Sequence, residues 1–174
     1  DIVLGGYWMT KNVDGEEGEG KYFSNPNTAI TAYDYGVITL RAKIKVLATD
    51  THRYKKFDEG IFDTSVGKLL FNSILPHDFS YVNDEMTQKR LSSLLDEIIV
   101  HSGVDETPPI LDKIKAFGFK YATVSGITWG LDNVVVSSEK PKIIAQGKKL
   151  EEDILSQWSE GLLSEEEKYQ NWNR

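Results

Sequence analysis

The 174 residues contain no cysteine. That removes disulfide scaffolds, cysteine-based zinc sites and thiol nucleophiles, and it fits a reducing cytosolic compartment. Histidine is scarce: His52, His77 and His101 stand apart, without the spacing of a metal-ligating set. Positive charge is in deficit, with 20 Lys and Arg against 27 Asp and Glu and a formal net charge of −7. Such a chain is by itself a poor general binder of nucleic acid, because phosphate attraction needs clustered cations. No apolar run approaches the ~20 residues of a membrane-spanning helix, so no membrane association is expected. There is also no initiator methionine and no signal-like start. The chain opens in the apolar run DIVLGGYWMT and closes in SEEEKYQNWNR, barely two turns into a helix pattern. Both ends are what a piece of a longer protein would show.

What is present suits one domain or two small ones. Apolar residues make up 40% of the chain and charged residues 27%, enough for a real core under a solvated surface. The β-branched and aromatic residues of Ile2 to Thr10 predict a strand or a buried extended stretch. NVDGEEGEGKYF predicts a flexible glycine loop. Asn27 is a candidate N-cap for a short helix that Gly36 ends. VITLRAKIKVL alternates, with Ile38, Leu40, Ala42, Ile44 and Val46 on one face, and predicts the clearest strand. ATDTHRYKKFDEG predicts a polar connector, either a hairpin or a disordered loop. IFDTSVGKLLFNSILP begins as a strand and turns helical after Val66.

Beyond residue 80 the pattern becomes helical. Thr87 caps a helix with Leu91, Leu94, Leu95, Ile98 and Ile99 on one stripe, stopped by Gly103. A second helix carries Ile110, Leu111, Ile114 and Phe117, with Pro108 in its first turn. YATVSGITWGLDNVVV predicts a close-packed turn leading to a short buried strand. Ser137 or Ser138 then caps a long charged helix bearing Ile143, Ile144, Leu150, Ile154, Leu155 and Trp158. Gly161 ends it, Leu162 and Leu163 form an elbow, and Ser164 starts another helix. The expected fold is α+β: a strand-and-loop half over 1–80, then a mainly helical half over 81–174 that ends in a long helix and a truncated antiparallel partner.

Catalytic signatures are missing. There is no GxxxxGK[ST] or GxGxxG phosphate loop, and the three glutamates of GEEGEG would repel a phosphate. Carboxylate runs in DEGIFD and SEEEK read as solvated faces or helix starts. Ser125, in VSGI, is not in a nucleophile elbow. No catalytic or metal-binding residue is assigned.

Several stretches taken together resemble a known family, the β′ subunit of bacterial DNA-directed RNA polymerase. DIVLGGYWMT resembles the family's D-[VI]-V-L-G-x-Y-Y-[ML]-T run. GEGKYFSNPNTAITAYDYGVITLRAKIKV resembles G-E-G-K-x-F…A-x-x-A-Y-D-x-G-x-x-x-L-H-A-x-I-K-V, and DTSVGKLLFNSILP resembles T-T-V-G-R-x-L-[FL]-N-x-I-L-P. ILDKIKAFGFKYATVSGITWGLDNVVV resembles the family's G-F-x-Y-A-T-R-S-G segment and its flanks. SQWSEGLLSEEEKYQNW resembles Q-x-x-x-G-L-[IV]-T-x-x-E-R-Y-x-x-V. The five matches are collinear and cover essentially the whole chain. Departures are Val124 for the Arg of A-T-R-S-G, Arg41 for the His of L-H-A, Asn133 for the second Asp of G-I-D-D and Lys68 for the Arg of T-V-G-R.

The resemblance implies the pore and funnel region that lines the secondary channel, through which nucleotides enter and backtracked RNA leaves. It implies a nucleotidyltransferase as parent, without the aspartate loop that holds catalytic magnesium in the family. No cofactor is implied for the segment itself; the parent would carry Mg2+ and, in many relatives, Zn2+. Implied partners are the α, β, ω and σ subunits and secondary-channel transcription factors, with DNA and RNA reached only through the whole enzyme in the bacterial cytoplasm. The rim tip would fall near 159–170, with Glu167 and Gln170 at factor-contacting positions; Gln170 replaces an Asn common in relatives. Of the family's guanosine tetraphosphate positions only Asp112 matches, so that site is not expected. The alternative from another class is a stand-alone module of funnel-like fold that binds transcription factors.

Overall fold

The computed structural model describes residues 1–49, 52–57 and 60–173; Asp50, Thr51, Asp58, Glu59 and Arg174 lie outside it. The fold is α+β: the described residues form helices and one small three-stranded sheet. Contacts group the chain into two compact units, Asp1–Ile127 and Thr128–Arg174.

The first unit opens on a helix, α1, Ile2–Thr10, where a strand or a buried extended stretch was expected. Its β-branched and aromatic residues favour a strand locally, but its glycines settle the matter through tertiary packing. A Cβ on Gly5 would lie 1.9 Å from the Gly118 carbonyl oxygen, and one on Gly118 would lie 2.7 Å from Ile2 Cα. Gly118 belongs to α4, Gln88–Ser125, so two helix backbones touch where neither has a side chain. Thr10 fastens the end of α1: its hydroxyl donates to the Gly6 carbonyl and accepts from the Met86 amide, both at 2.8 Å.

The glycine-rich loop is fastened rather than loose. The Val13 amide donates to the Arg41 carbonyl, the Gly20 amide to that of Lys43, and the Thr39 amide to that of Glu17. Glu16 meets the Arg41 guanidinium at 3.2 Å, while the same guanidinium lies 4.8 Å from the Trp8 ring centre. Helix α2, Pro26–Asp34, is capped by Asn25, whose side chain accepts from the Thr28 amide, and not by Asn27. Pro26 explains the shift of two residues: it fits the first helical position, where no amide is needed. Gly36 follows the helix with φ 69°, as its left-handed end requires.

The sheet has the order β1 (Tyr22–Phe23), β2 (Ile44–Leu47), β3 (Ile61–Thr64). β1 runs parallel to β2, with Tyr22 opposite Lys45, and β2 runs antiparallel to β3, with Val46 opposite Phe62. The long strand expected over Val37 to Leu47 forms its ladder only at Ile44–Leu47. The alternation nonetheless holds, with Ile38, Leu40, Ala42, Ile44 and Val46 all buried. Burial alternates with the side-chain pattern, while the backbone of 39–43 spends its groups on the glycine loop and on Gly67, whose amide donates to Leu40. The connector between β2 and β3 contains a 3-10 turn, His52–Phe57; its Asp50, Thr51, Asp58 and Glu59 lie outside the described residues.

Helix α3, Val66–Ser73, follows β3 as the pattern predicts, with Ser65 at its cap. Two buried polar clasps hold the segment after it. The Asn72 side chain donates to the Val82 carbonyl and accepts from the Val82 amide, both at 2.7 Å. Tyr81 and Thr64 share a 2.6 Å hydroxyl contact, with Tyr81 set against Tyr54, Phe57 and Phe62. Burial pushes the Tyr81 phenol far above its ordinary pKa, so it stays a neutral partner for Thr64.

Thr87 caps α4 through its hydroxyl, which accepts from the Arg90 amide. Gly103, with φ 76° and ψ 168°, breaks the helical path where the sequence predicts a stop. Helix resumes at once, so Pro108 and Pro109 lie a turn in rather than at the start. Leu91, Leu94, Ile98, Ile110, Ile114 and Phe117 enter the core, whereas Ile99 and Leu111 remain exposed.

The second unit departs most from expectation. Val134, Val135 and Val136 form no strand and are all exposed; a 3-10 turn at Leu131–Asn133 precedes them. Among the described residues of the unit no strand offers them a ladder, so their β preference goes unused. Helix α5, Lys140–Ser159, has neither Ser137 nor Ser138 as cap; Glu139 sits there without a side-chain bond. Ser137 instead accepts from the Glu139 amide in the turn before. Helix α6, Glu165–Trp172, closes the chain.

Gly5→Ala should lower the urea midpoint of the first unit by the equivalent of about 1–3 kcal/mol, since the added methyl has only backbone to push against. Gly147→Ala, in α5 with nothing near its added carbon, should instead raise α5 stability by about 0.5–1 kcal/mol. Circular dichroism of both variants across a urea series checks the pair.

Candidate functional site: the capped turn between the last two helices

The elbow between α5 and α6 is built almost wholly from local chemistry. Glu160 and Gly161 amides return to the Ser156 and Trp158 carbonyls, and the Leu162 amide reaches Gln157 at 2.9 Å. Gly161 supplies the left-handed residue this ending needs, at φ 75°. Ser164 then begins α6 with a reciprocal cap: its hydroxyl accepts from the Glu167 amide at 3.2 Å, and its own amide donates to Glu167 Oε2 at 2.9 Å. The elbow expected at Leu162 and Leu163 is therefore present, with its start and stop residues as read.

Side chains tie the two arms. Lys168 Nζ sits 3.8 Å from the Trp158 ring centre and 3.1 Å from Glu165 Oε2. This cation–ring contact folds α6 back onto α5. Nothing in the sequence marked it, because a ten-residue separation across a turn carries no periodic signal. Around the pair the apex is open: Leu162, Tyr169 and Trp172 are exposed, as are Glu165, Glu166 and Gln170.

Of the two residues singled out in the sequence, Glu167 is already engaged. The Ser164 backbone amide, and then its hydroxyl, hold the Glu167 carboxyl below its ordinary pKa. Gln170 lies one turn further along α6, on the same side, and is exposed. The two are thus neighbours on one surface, one carboxylate fixed in place and one amide free to turn. Such a surface can dock a partner; it offers no nucleophile and no acid–base pair.

Other candidates are spent on structure. The Ser125 hydroxyl donates to the Ala122 carbonyl and accepts from the Ile127 amide at the end of α4. His101 faces Asp78 at 2.9 Å beside the Phe79 ring. In GEEGEG, Glu16 pairs with Arg41 and Glu19 accepts from the Gly15 amide. Lys68, in place of the family's Arg, is buried; loss of solvation lowers its pKa, while Glu85 and Asp84 work to raise it. Among the described residues, no group of three or more His, Cys, Asp or Glu comes together to hold a metal ion. No helix of the described residues is long and apolar enough to cross a membrane.

Comparison with known proteins places this architecture. The family described as RNA polymerase Rpb1, domain 3 matches residues 1–134, and the chain belongs to it. The chain is also similar along its length to DNA-directed RNA polymerase subunits beta′. That of Thermoanaerobacter sp. (strain X514) is 39% identical over 191 residues, covering 99% of this chain and 16% of the relative. That of Desulforudis audaxviator is 38% identical over 178 residues, covering 100% of this chain and 15% of the relative. The Sulfurihydrogenibium sp. subunit is 34% identical, covering 97% and 10%. The chain thus spans about a sixth or less of the curated relatives it matches.

The cap makes a pH-dependent prediction. A carboxyl whose pKa is lowered by folding contributes stability above its unfolded pKa and loses it as pH falls through the folded value. Acidification through the carboxylate range should therefore loosen α6 in the wild-type chain. Glu167→Gln, which keeps the cap geometry without the charge, should flatten that dependence, and Ser164→Ala should weaken α6 at every pH. Cα secondary chemical shifts of residues 165–172 report all three.

Proposed function

We propose that the chain is a segment of a β′-type subunit of a DNA-dependent RNA polymerase and serves as scaffold and wall rather than as a site of chemistry. The observation that carries this is collinear similarity to the subunits beta′ over 97–100% of the chain. Transcription would be its process, nucleotidyl transfer its parent's reaction, and the cytoplasm its place. Magnesium, and zinc in many β′ subunits, would reside in other parts of the parent. The α, β, ω and σ subunits are its proposed neighbours, with DNA and RNA met only in the assembled enzyme.

Within that reading, the segment lines the secondary channel. Its 1–80 part contributes the pore side, its 81–174 part the funnel side, and the α5–α6 elbow the rim on which channel factors dock. Several features support it. The elbow's geometry is set by its own caps, its apex is exposed, and Glu167 and Gln170 share its surface. The overall acidity suits a channel wall that has no need to grip duplex DNA. A stand-alone factor-binding module would use the same elbow, so the two readings differ in what else travels with the chain.

Purification through a tag on the chromosomal gene separates them. Co-elution with α and β subunits, and RNA synthesis by the eluate, is the expected outcome; recovery as a free protein of this size overturns the polymerase reading. In that enzyme Gln170→Ala and Glu167→Gln should leave factor-free elongation unchanged and weaken factor-stimulated transcript cleavage by about three- to tenfold, as loss of a surface polar contact does. Unchanged cleavage by both variants removes the rim assignment.

A further inference from the structure

Away from the elbow, an open groove runs between α3 and the part of α4 beyond Gly103. Its volume is about 430 Å³. Lys113, Ala116, Phe117, Lys120 and Tyr121 line one wall, spaced as i, i+3, i+4, i+7 and i+8, so a single face of α4 supplies it. Leu70 and Ile74 supply the other wall. The floor is firm: Phe117 is buried, meets Phe71 edge-on at 5.6 Å, and meets Tyr121 at 4.5 Å.

We propose that this groove docks an acidic amphipathic helix of a partner protein. Charge selects the sign of the partner. Lys113 and Lys120 stand at the rim about 10 Å apart along α4; neither makes an ion pair among the described residues, and Lys120 Nζ lies 5.1 Å from the Tyr121 ring centre. Lys115, on the neighbouring face, is by contrast paired with Asp112 at 2.7 Å. Two cations that make no ion pair flank an apolar floor, on a chain of net charge −7, and carboxylates match them. Two lysines over apolar lining are too few for a phosphate backbone, which needs a wider basic track.

Backbone chemistry selects the form of the partner. Both walls are helices whose amides and carbonyls bond internally, so the groove has no strand edge to offer. An extended segment would bury unpaired backbone there, whereas a helix brings its own hydrogen bonds. The groove spans about two helical turns, room for apolar anchors at i and i+4, with Glu or Asp flanking them over the lysines. This proposal does not depend on the polymerase reading.

The test uses the isotope-labelled 174-residue chain and two synthetic helical peptides. One carries leucines at i, i+4 and i+7 flanked by glutamates; the other replaces every glutamate with lysine. The acidic peptide should give saturable amide shifts at Leu70, Ile74, Ala116 and Tyr121. Lys113→Glu with Lys120→Glu should weaken it about tenfold, as paired rim-charge reversal does, while the two Arg substitutions keep it. Ala116→Trp, which fills the groove without touching charge, should abolish it, and unchanged amide spectra elsewhere show that each variant is folded. Equal binding of both peptides, shifts that map to another surface, or no saturation by the acidic peptide overturns the proposal.

Discussion

The first unit depends on a contact made by the absence of side chains. Where α1 crosses α4, Gly5 and Gly118 bring two backbones within reach, and no residue with a Cβ fits either position. A crossing this close sets the depth at which α1 lies, and therefore where Met9 and Thr10 arrive. Met9 is fully buried, and its carbonyl oxygen would be 2.0 Å from a Cβ on Gly67 at the start of α3. Thr10 reaches Met86 just ahead of α4. One glycine pair thus indexes three helices that are far apart in sequence. Polar clasps then fix what packing leaves free, with Asn72 pinning Val82 and Tyr81 pinning Thr64 in surroundings where an unmet polar group would cost more than the bond returns.

Much of this was legible in the sequence where the signal was local. Gly36, Thr87, Gly103, Gly161 and Ser164 punctuate helices as read, since each acts through backbone angles or a cap that its own neighbours complete. The alternation from Ile38 to Val46 gave the right buried face, although most of that run joins no ladder. Burial follows the side chains, whereas strand pairing needs a partner that the sequence does not display. The two failed strand expectations share one cause. DIVLGGYWMT is helical because of Gly118, and VVV is not a strand because no ladder comes beside it; both facts lie outside the segments concerned.

The candidate site was legible to the same degree. The turn and its acids were visible, and so was the surface shared by Glu167 and Gln170. Hidden was the commitment of Glu167 to Ser164, together with the Lys168–Trp158 contact that closes the arms. The same pattern runs through the chain. Arg53 donates to the carbonyls of Asn72, Leu75 and Pro76, and Glu16 pairs with Arg41. Charged groups that sequence alone leaves unassigned are thus holding loops.

The second unit follows different physics. Of the apolar residues along α5, only Ile154 is buried, while Ile143, Ile144, Leu150, Leu155 and Trp158 remain exposed. Burial therefore contributes little to its shape. Helices of this kind rely on their ends and their surface pairs, such as Lys142 with Glu139 at the start of α5 and Lys168 with Glu165 in α6, each worth about 0.2–0.5 kcal/mol. Helix formation is cooperative, so a firm terminus matters more than any single interior pair. The reciprocal cap at Ser164 and the left-handed Gly161 supply that terminus at the turn, where both arms meet. Apex geometry is thus set within about a dozen residues and does not wait on cover for the apolar stripe. The turn is therefore the most locally determined part of the unit, while α5 behind it buries only one apolar side chain.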